Sequence, residues 1–360
     1  MDSLIRKLAS IQMINSVTKH PNADRLDICN VLGWHVITRH DEFVPGDLAV
    51  YFETDSLIPE SILKQIGLWD IDKNKGKLNG TKGNRLKTVK IRSLISQGLA
   101  IPLTTIFPKL SSEYDEGSDV TEFLGVTKYE PLISPELQGQ VRGNFPGFLK
   151  KTDTHRLQAH PRVIDELKAC EEIYMTIKYD GTSFTAFNRV VDIGSVDPPL
   201  RGNDFGVCSR NINLKDTETN TYWRMARKYN FEEILKDKNR AIQAEIVGPG
   251  IQKNRMGLSE LQIGVFDVFD IKGYTYFNLD DLVLFCDLHK LPMVKLIYRG
   301  VMKWDTVDEL IELANEQRYP NGKQAEGIII RPCVEKSSER LEGRLAVKVI
   351  SPKYLLEHGE

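Results

Sequence analysis

Five segments in the second half of the chain constrain its architecture more than any other feature: IYMTIKY (173–179), AIQAEIV (241–247), IGVFDVFDI (263–271), GIIIR (327–331) and RLAVKVI (344–350). Each is short, rich in β-branched residues and bounded by charged or turn residues, which is the pattern of a largely buried strand. Helical stretches lie between them, among them TYWRMARKYNFEEILKDK (221–238), LDDLVLFCDLHK (279–290) and DTVDELIELANEQR (305–318). This mixture predicts an α+β domain of antiparallel sheets flanked by helices.

The first 130 residues read differently. VLGWHVIT (31–38), DLAVYFE (47–53), LKTVKIR (86–92) and QGLAIPL (97–103) are short β segments punctuated by Gly and Pro, the signature of a small barrel. The turn and strand from His20 to Trp34, HPNADRLDICNVLGW, resemble the opening of the OB-fold tRNA-binding domains carried by some aminoacyl-tRNA synthetases. Between Tyr129 and Lys150, three prolines and three glycines without periodicity mark a connection. The expected layout is an OB-like domain over 1–130, a linker over 131–150 and a second domain over 151–360.

Composition narrows the class. Five scattered cysteines with no CxxC spacing argue against a disulfide framework or a thiolate zinc site and predict an intracellular, cytoplasmic protein. No apolar run of about 18 residues occurs and the opening MDSLIRKLASIQMI has no export-type apolar region, so membrane association is not expected. Net charge is only -2, yet KNKGKLNGTKGNRLKTVKIR (73–92) carries eight cations and no acid. That stripe is a candidate track for phosphates.

P-loop, HExxH, GxSxG and EF-hand patterns are missing. What remains is Lys178-Tyr-Asp180-Gly181 at the end of a strand pattern. Alternation places Ile173, Met175 and Ile177 on a core face and Thr176, Lys178 and Asp180 on the other, so an amine and a carboxylate point together into a cleft. Gly181 permits a tight turn or a close approach of backbone. A strand-end salt bridge would satisfy the tetrapeptide equally well.

Later segments supply the rest. Arg210 in CSRNINL, Glu245 in QAEIVGPGIQKN, Phe266 in VFDVFDI, Glu326 in AEGIIIRP and Lys348 in AVKVISPKY follow KYDG in the order of motifs Ia, III, IIIa, IV and V of the covalent nucleotidyltransferases. The GPGIQKN segment, the preceding KTDTHRLQ (151–158) and the N-terminal position of the OB-like domain most resemble ATP-dependent RNA ligases of the Deinococcus and Naegleria type. That resemblance implies a nucleotidyltransferase domain over 151–360 and joining of RNA 3'-OH to 5'-phosphate ends through a lysyl-AMP intermediate.

The same resemblance assigns roles. Lys178 would be the nucleophile, with Lys348 on the α-phosphate. Arg210, Glu245, Phe266 and Glu326 would complete the ATP site, Phe266 stacking on adenine. Asp180, Glu245 and Glu326 would hold Mg2+ or Mn2+, since three converging acids need a cation between them. The expected partner is RNA or an RNA-containing nicked duplex, and no protein partner is implied. Motif V departs from the family's paired lysines, because Ala346 stands at the first position and leaves Lys348 alone or aided by Arg344 or Lys353. Two other readings are a non-catalytic RNA-binding protein with an ATP-binding shell, and a DNA ligase or capping-type enzyme.

Overall fold

A computed structural model describes residues 6–107, 115–129, 139–193 and 200–358. Its N-terminal part is built on the strand Ala9–Lys19, which is long enough to serve two partners. Its first half pairs with Leu48–Phe52 and its second half with Leu26–Val31. A bulge between Ile14 and Ser16 bends the strand between these pairings, which curls the sheet into a half-barrel. Leu99–Pro102 and Trp34–Arg39 close the two edges of this five-stranded sheet. The segment read as one strand over 31–38 is in fact a hairpin, because Leu32 takes a left-handed φ of 55° and turns the chain. Within 86–92, only Val89–Ile91 is a strand.

The C-terminal part is built on two large sheets, beside a two-stranded one of Ser337–Ser338 and Gly343–Arg344. The five-stranded one runs in the order His155–Arg156, Val347–Ile350, Gly327–Pro332, Ile173–Lys178, Leu296–Gly300. In the seven-stranded one, Thr182–Ile193 lies between Leu200–Cys208 and Arg240–Val247, and Gln262–Asp270 follows beyond. Val141–Asn144, inside the expected linker, is the edge strand of this second sheet and pairs with Ile212–Leu214. Residues 131–138 of that linker lie outside the described residues. The helical stretch 221–238 is two helices, Thr221–Lys228 and Phe231–Leu235, because Asn230 adopts a left-handed φ of 53° and breaks the run. Among the described residues no helix is long and apolar enough to cross a membrane.

The two parts meet along a polar seam. The Gly33 N–H donates to the Gln158 carbonyl at 2.9 Å, and a Cβ on Gly33 would stand 3.0 Å from the Gln158 backbone. Arg156 reaches across to Thr54 Oγ1 at 2.9 Å and Asp55 Oδ2 at 3.2 Å. Asp55 also accepts from Arg85 at 2.8 Å, while Arg6 clamps Glu53 with two hydrogen bonds.

Candidate active site

Ile173–Lys178 belongs to one sheet and Thr182–Ile193 to the other, so Tyr179, Asp180 and Gly181 carry the chain between them. Lys178 therefore emerges where the sheets diverge. Before that point both faces of its strand are covered: Tyr174 and Thr176 are as buried as Ile173 and Met175, and the expected open face exists only at the strand's end. Antiparallel pairing of Lys178 with Gly327 brings Glu326 alongside, and Lys178 Nζ meets Glu326 Oε2 at 2.5 Å.

Gly181 is required by crowding. A Cβ there would fall 2.3 Å from the Ile246 carbonyl oxygen and 2.7 Å from Glu245 Cγ. The close approach of these strands is what sets Glu245 beside Lys178. Among the described residues the Glu245 carboxyl has no hydrogen bond or ion pair, and burial, with Glu326 and Asp180 adding, pushes it up to about 8 against the pull of Lys178. Burial pulls Lys178 down, but Glu326, Glu245 and Asp180 outweigh it and hold the ammonium above its ordinary value.

Two residues that sequence reasoning missed organise this cluster. The Asp180 N–H donates to Tyr319 Oη at 3.0 Å, the Glu326 N–H donates to the same oxygen at 3.2 Å, and that hydroxyl donates to the Lys178 carbonyl at 3.2 Å. One phenol thus ties together three backbone positions of the site. Arg255 donates to Asp180 Oδ2 at 2.7 Å and to the Tyr354 hydroxyl. It is delivered by the turn after Gly-Pro-Gly, where Gln252, Lys253 and Asn254 take left-handed φ values of 43°, 57° and 49°. Strain of this kind persists only where surrounding structure enforces it. Here Asn254 bonds Leu258 through both its oxygen and its amide.

Lys348 lies across the Gly327–Pro332 strand, opposite Ile329, and on its other side pairs in parallel with Arg156. Burial, then Arg156, Lys178 and Arg6, push it down to about 7, with Asp153 opposing. Its same-face neighbours on the strand, Ala346 and Ile350, are buried and uncharged. Arg344 is engaged by Asp267 and Glu335, and Lys353 is exposed on the last helix. Lys348 is therefore the lone cation that its strand presents here. Arg210 pairs with Asp153 at the edge of the site, and its guanidinium side chain is half exposed. Phe266 sits at a bulge, is only half-buried, joins none of the apolar clusters and lies 5.8 Å from the Arg331 guanidinium.

The donor set fits a hard divalent cation, since Asp180, Glu245 and Glu326 offer oxygen ligands around one ammonium and Glu245 has no partner of its own. Among the described residues the three carboxylates do not come within 4.8 Å of one another as a group; Glu326 meets Lys178 directly, while Glu245 and Asp180 act on its charge.

Comparison with known proteins gives a consistent result. A model described as an OB-fold domain matches residues 8–103, and one described as RNA ligase matches residues 171–350. Naegleria gruberi RNA ligase, solved as a mutant with ATP and Mn, is 32% identical, with 99% of this chain and 100% of that chain covered and a TM-score of 0.83. The same ligase with PPi is 31% identical, covers 99% of each chain and gives 0.81. A further mutant of it with AMP and Mn is 32% identical over 97% of this chain and 98% of that chain, again at 0.81. Among curated proteins, none matches the chain in sequence.

Proposed function

The chain belongs to the RNA ligase family and is an ATP-dependent RNA ligase, and from that premise we propose that it seals 3'-OH/5'-phosphate RNA ends or nicks through AMP carried on Lys178. The observation that carries this reading is the placement of Lys178 between two sheets, 2.5 Å from Glu326 and within the electrostatic reach of Glu245 and Asp180. In the first step the Lys178 amine attacks the α-phosphorus of ATP. A P–N bond forms, the bond to the β-phosphate breaks, and pyrophosphate leaves with the electron pair. In the second, an oxygen of the RNA 5'-phosphate displaces Lys178 and takes the AMP. In the third, the 3'-OH attacks that phosphate, loses its proton, and AMP departs.

Each side chain has a task that its surroundings suit. Lys178 must lose both its proton and its contact with Glu326 before it can attack. Asp180, Glu245 and Glu326 would hold Mg2+ or Mn2+. The bound ion supplies positive charge that depresses the lysine and offsets charge on the α-phosphate. Lys348 would meet the α-phosphate as a point charge, Arg210 would leave Asp153 for the ribose or phosphate, and Phe266 would stack on adenine. Arg255 acts as a positioning residue for the Asp180 carboxylate, and Tyr319 for the Asp180 and Glu326 backbone. All five cysteines are buried and unpaired, which supports a reducing, cytoplasmic setting.

Incubation with ATP labelled at the α-phosphate and Mg2+ or Mn2+, followed by a denaturing gel, tests the reading. Label on the protein that is lost in Lys178→Ala is expected. A folded protein that takes no label with either metal would overturn the reading and favour an RNA-binding protein that only shelters ATP.

A further inference from the structure

Eight cations lie between Lys73 and Arg92, and the fold sorts them. Arg85 is withdrawn, bonded to Asp55 and stacked 3.6 Å over the Tyr129 ring. Lys75, Lys82, Lys90 and Arg92 are exposed and make no ion pair among the described residues. Lys73 leans on Asp70 at 3.4 Å and Lys77 donates to the Gly67 carbonyl at 3.1 Å, both from exposed positions. Between residues 70 and 96 the acids are Asp70 and Asp72 alone.

These cations ride on two stiff hairpins. Trp69–Asp70 pairs with Lys75–Gly76, after which the Gly76 N–H donates to Lys82 O at 3.1 Å and the Leu78 N–H to Gly83 O at 2.9 Å. Asn79 and Arg85 exchange backbone hydrogen bonds at 2.9 and 3.1 Å. At the crossing the backbones touch: a Cβ on Gly76 would be 2.0 Å from the Gly83 oxygen, and one on Gly83 would be 1.8 Å from the Gly76 oxygen. Only glycine fits there, and the backbone that carries the lysines on either side is pinned at that crossing. The second hairpin joins Val89–Ile91 to Leu94–Ser96 through Arg92 and Ser93, whose φ values are 46° and 77°. Such a turn normally takes Asn-Gly. Here an arginine occupies a left-handed position, and its carbonyl is pinned by Asn22 Nδ2 at 3.1 Å.

Both hairpins spring from the seam beside the site. The first is rooted through Arg85 and Asp55 to Arg156, the strand partner of Lys348. The second leads into Gln97, whose N–H donates to His35 O, and His35 faces Asp308 of the catalytic part at 3.5 Å.

We propose that Lys75, Lys82, Lys90 and Arg92 form a preset phosphate track that grips the backbone of the RNA being sealed, apart from the nucleotide pocket. The inference rests on the ligase reading for its ligand. Contacts to phosphates made by such point charges are independent of sequence and release counterions, so they are read in the salt dependence of binding.

The test uses the full chain and a nicked RNA duplex already carrying AMP on its 5'-phosphate. In the quadruple alanine variant at these positions, the slope of log affinity against log salt should become shallower by about 3, four contacts at roughly 0.7 to 0.9 each. Sealing of that duplex at moderate salt should fall more than about tenfold with that lost affinity. Self-labelling by ATP should stay at the wild-type level. A variant with Lys75→Arg, Lys82→Arg, Lys90→Arg and Arg92→Lys keeps the charge and should restore the slope. An unchanged slope in the alanine variant overturns the track, as does a loss of affinity that the charge-keeping variant shares. If the unaltered protein fails to label itself, the ligase reading fails, while the slope still scores the track.

Discussion

Replacing Asp55 by Asn should loosen the joint between the two halves of the molecule. Asp55 Oδ1 accepts from Arg85 at 2.8 Å and Oδ2 from Arg156 at 3.2 Å, with the three side chains only 24%, 15% and 13% exposed. The substitution removes the charge that both guanidiniums need and turns an amide N–H against one of them. Breaking a buried pair by altering one partner costs about 3 to 5 kcal/mol, and the residual exposure argues for the lower end, about 3 kcal/mol. Unfolding entropy near 2.1 cal/mol/K per residue over 360 residues amounts to about 0.76 kcal/mol/K, so the midpoint should fall by about 4 °C. Burial pushes the Asp55 carboxyl up, but Arg156, Arg85 and Arg6 overrule it and hold it below its ordinary value. Its contribution is therefore complete above a pH of about 4 and fades only as pH falls through the lowered folded value. Calorimetry at pH 7 is the assay. Glu260→Gln, which breaks the exposed 3.0 Å pair with Lys228, is the control and should move the midpoint by no more than about 1 °C, since such pairs contribute about 0 to 1 kcal/mol. Because Arg156 pairs with the Lys348 strand, self-labelling should also fall in the Asp55 variant. Equal midpoint shifts in the two variants would refute the argument that the seam is held by this carboxylate.

Two further outcomes are expected. Lys348, pushed down to about 7 by burial and by Arg156, must be charged to meet phosphate, so metal-free ATP should bind more weakly as pH rises past 7. Binding at pH 8 should take up protons that binding at pH 6 does not, read by titration calorimetry in buffers of different ionisation enthalpy, and a flat profile would contradict the assignment. Gly181→Ala should abolish self-labelling with the protein still folded, because its Cβ would displace either the Ile246 carbonyl or Glu245. Labelling within twofold of the unaltered protein would show that the strands have more slack than their spacing indicates.

The site was legible in the sequence to the extent that its chemistry sits on charged residues at the ends of strong strand patterns. Lys178 closes one apolar run, Glu326 stands just before another and Glu245 lies two residues from the end of a third, and antiparallel pairing of the strands brings these positions near one another. Asp180 was legible as a carboxylate, but its link to Arg255 was not, because that arginine arrives through three successive left-handed residues that no propensity favours. Tyr319 lay hidden because its role depends on a hydroxyl reaching three backbone groups from a distant loop. The open face of the Lys178 strand is also shorter than alternation implies: Tyr174 looks polar enough for a cleft, yet it packs against Leu279 and Cys333. In the basic stripe, sequence alone gave Arg85 the same standing as Lys82. Its burial follows from Asp55, thirty residues earlier and silent in the sequence.

The strand bearing Lys178 is an interior one, and both neighbours that flank it, Leu296–Gly300 and Gly327–Pro332, come more than a hundred residues later. Lys178 and Glu326 themselves are separated by 148 positions. At 5 to 20 residues per second a ribosome needs roughly 7 to 30 s to cover that interval. Throughout it the barrel strands up to Pro102 are already available to close, while the Lys178 strand waits with two unpaired edges. A growing chain can thus own the amine for some time without the carboxylate that restrains it. Translational pausing before residue 327 would lengthen that interval, and holdase chaperones would find their target in those two bare edges.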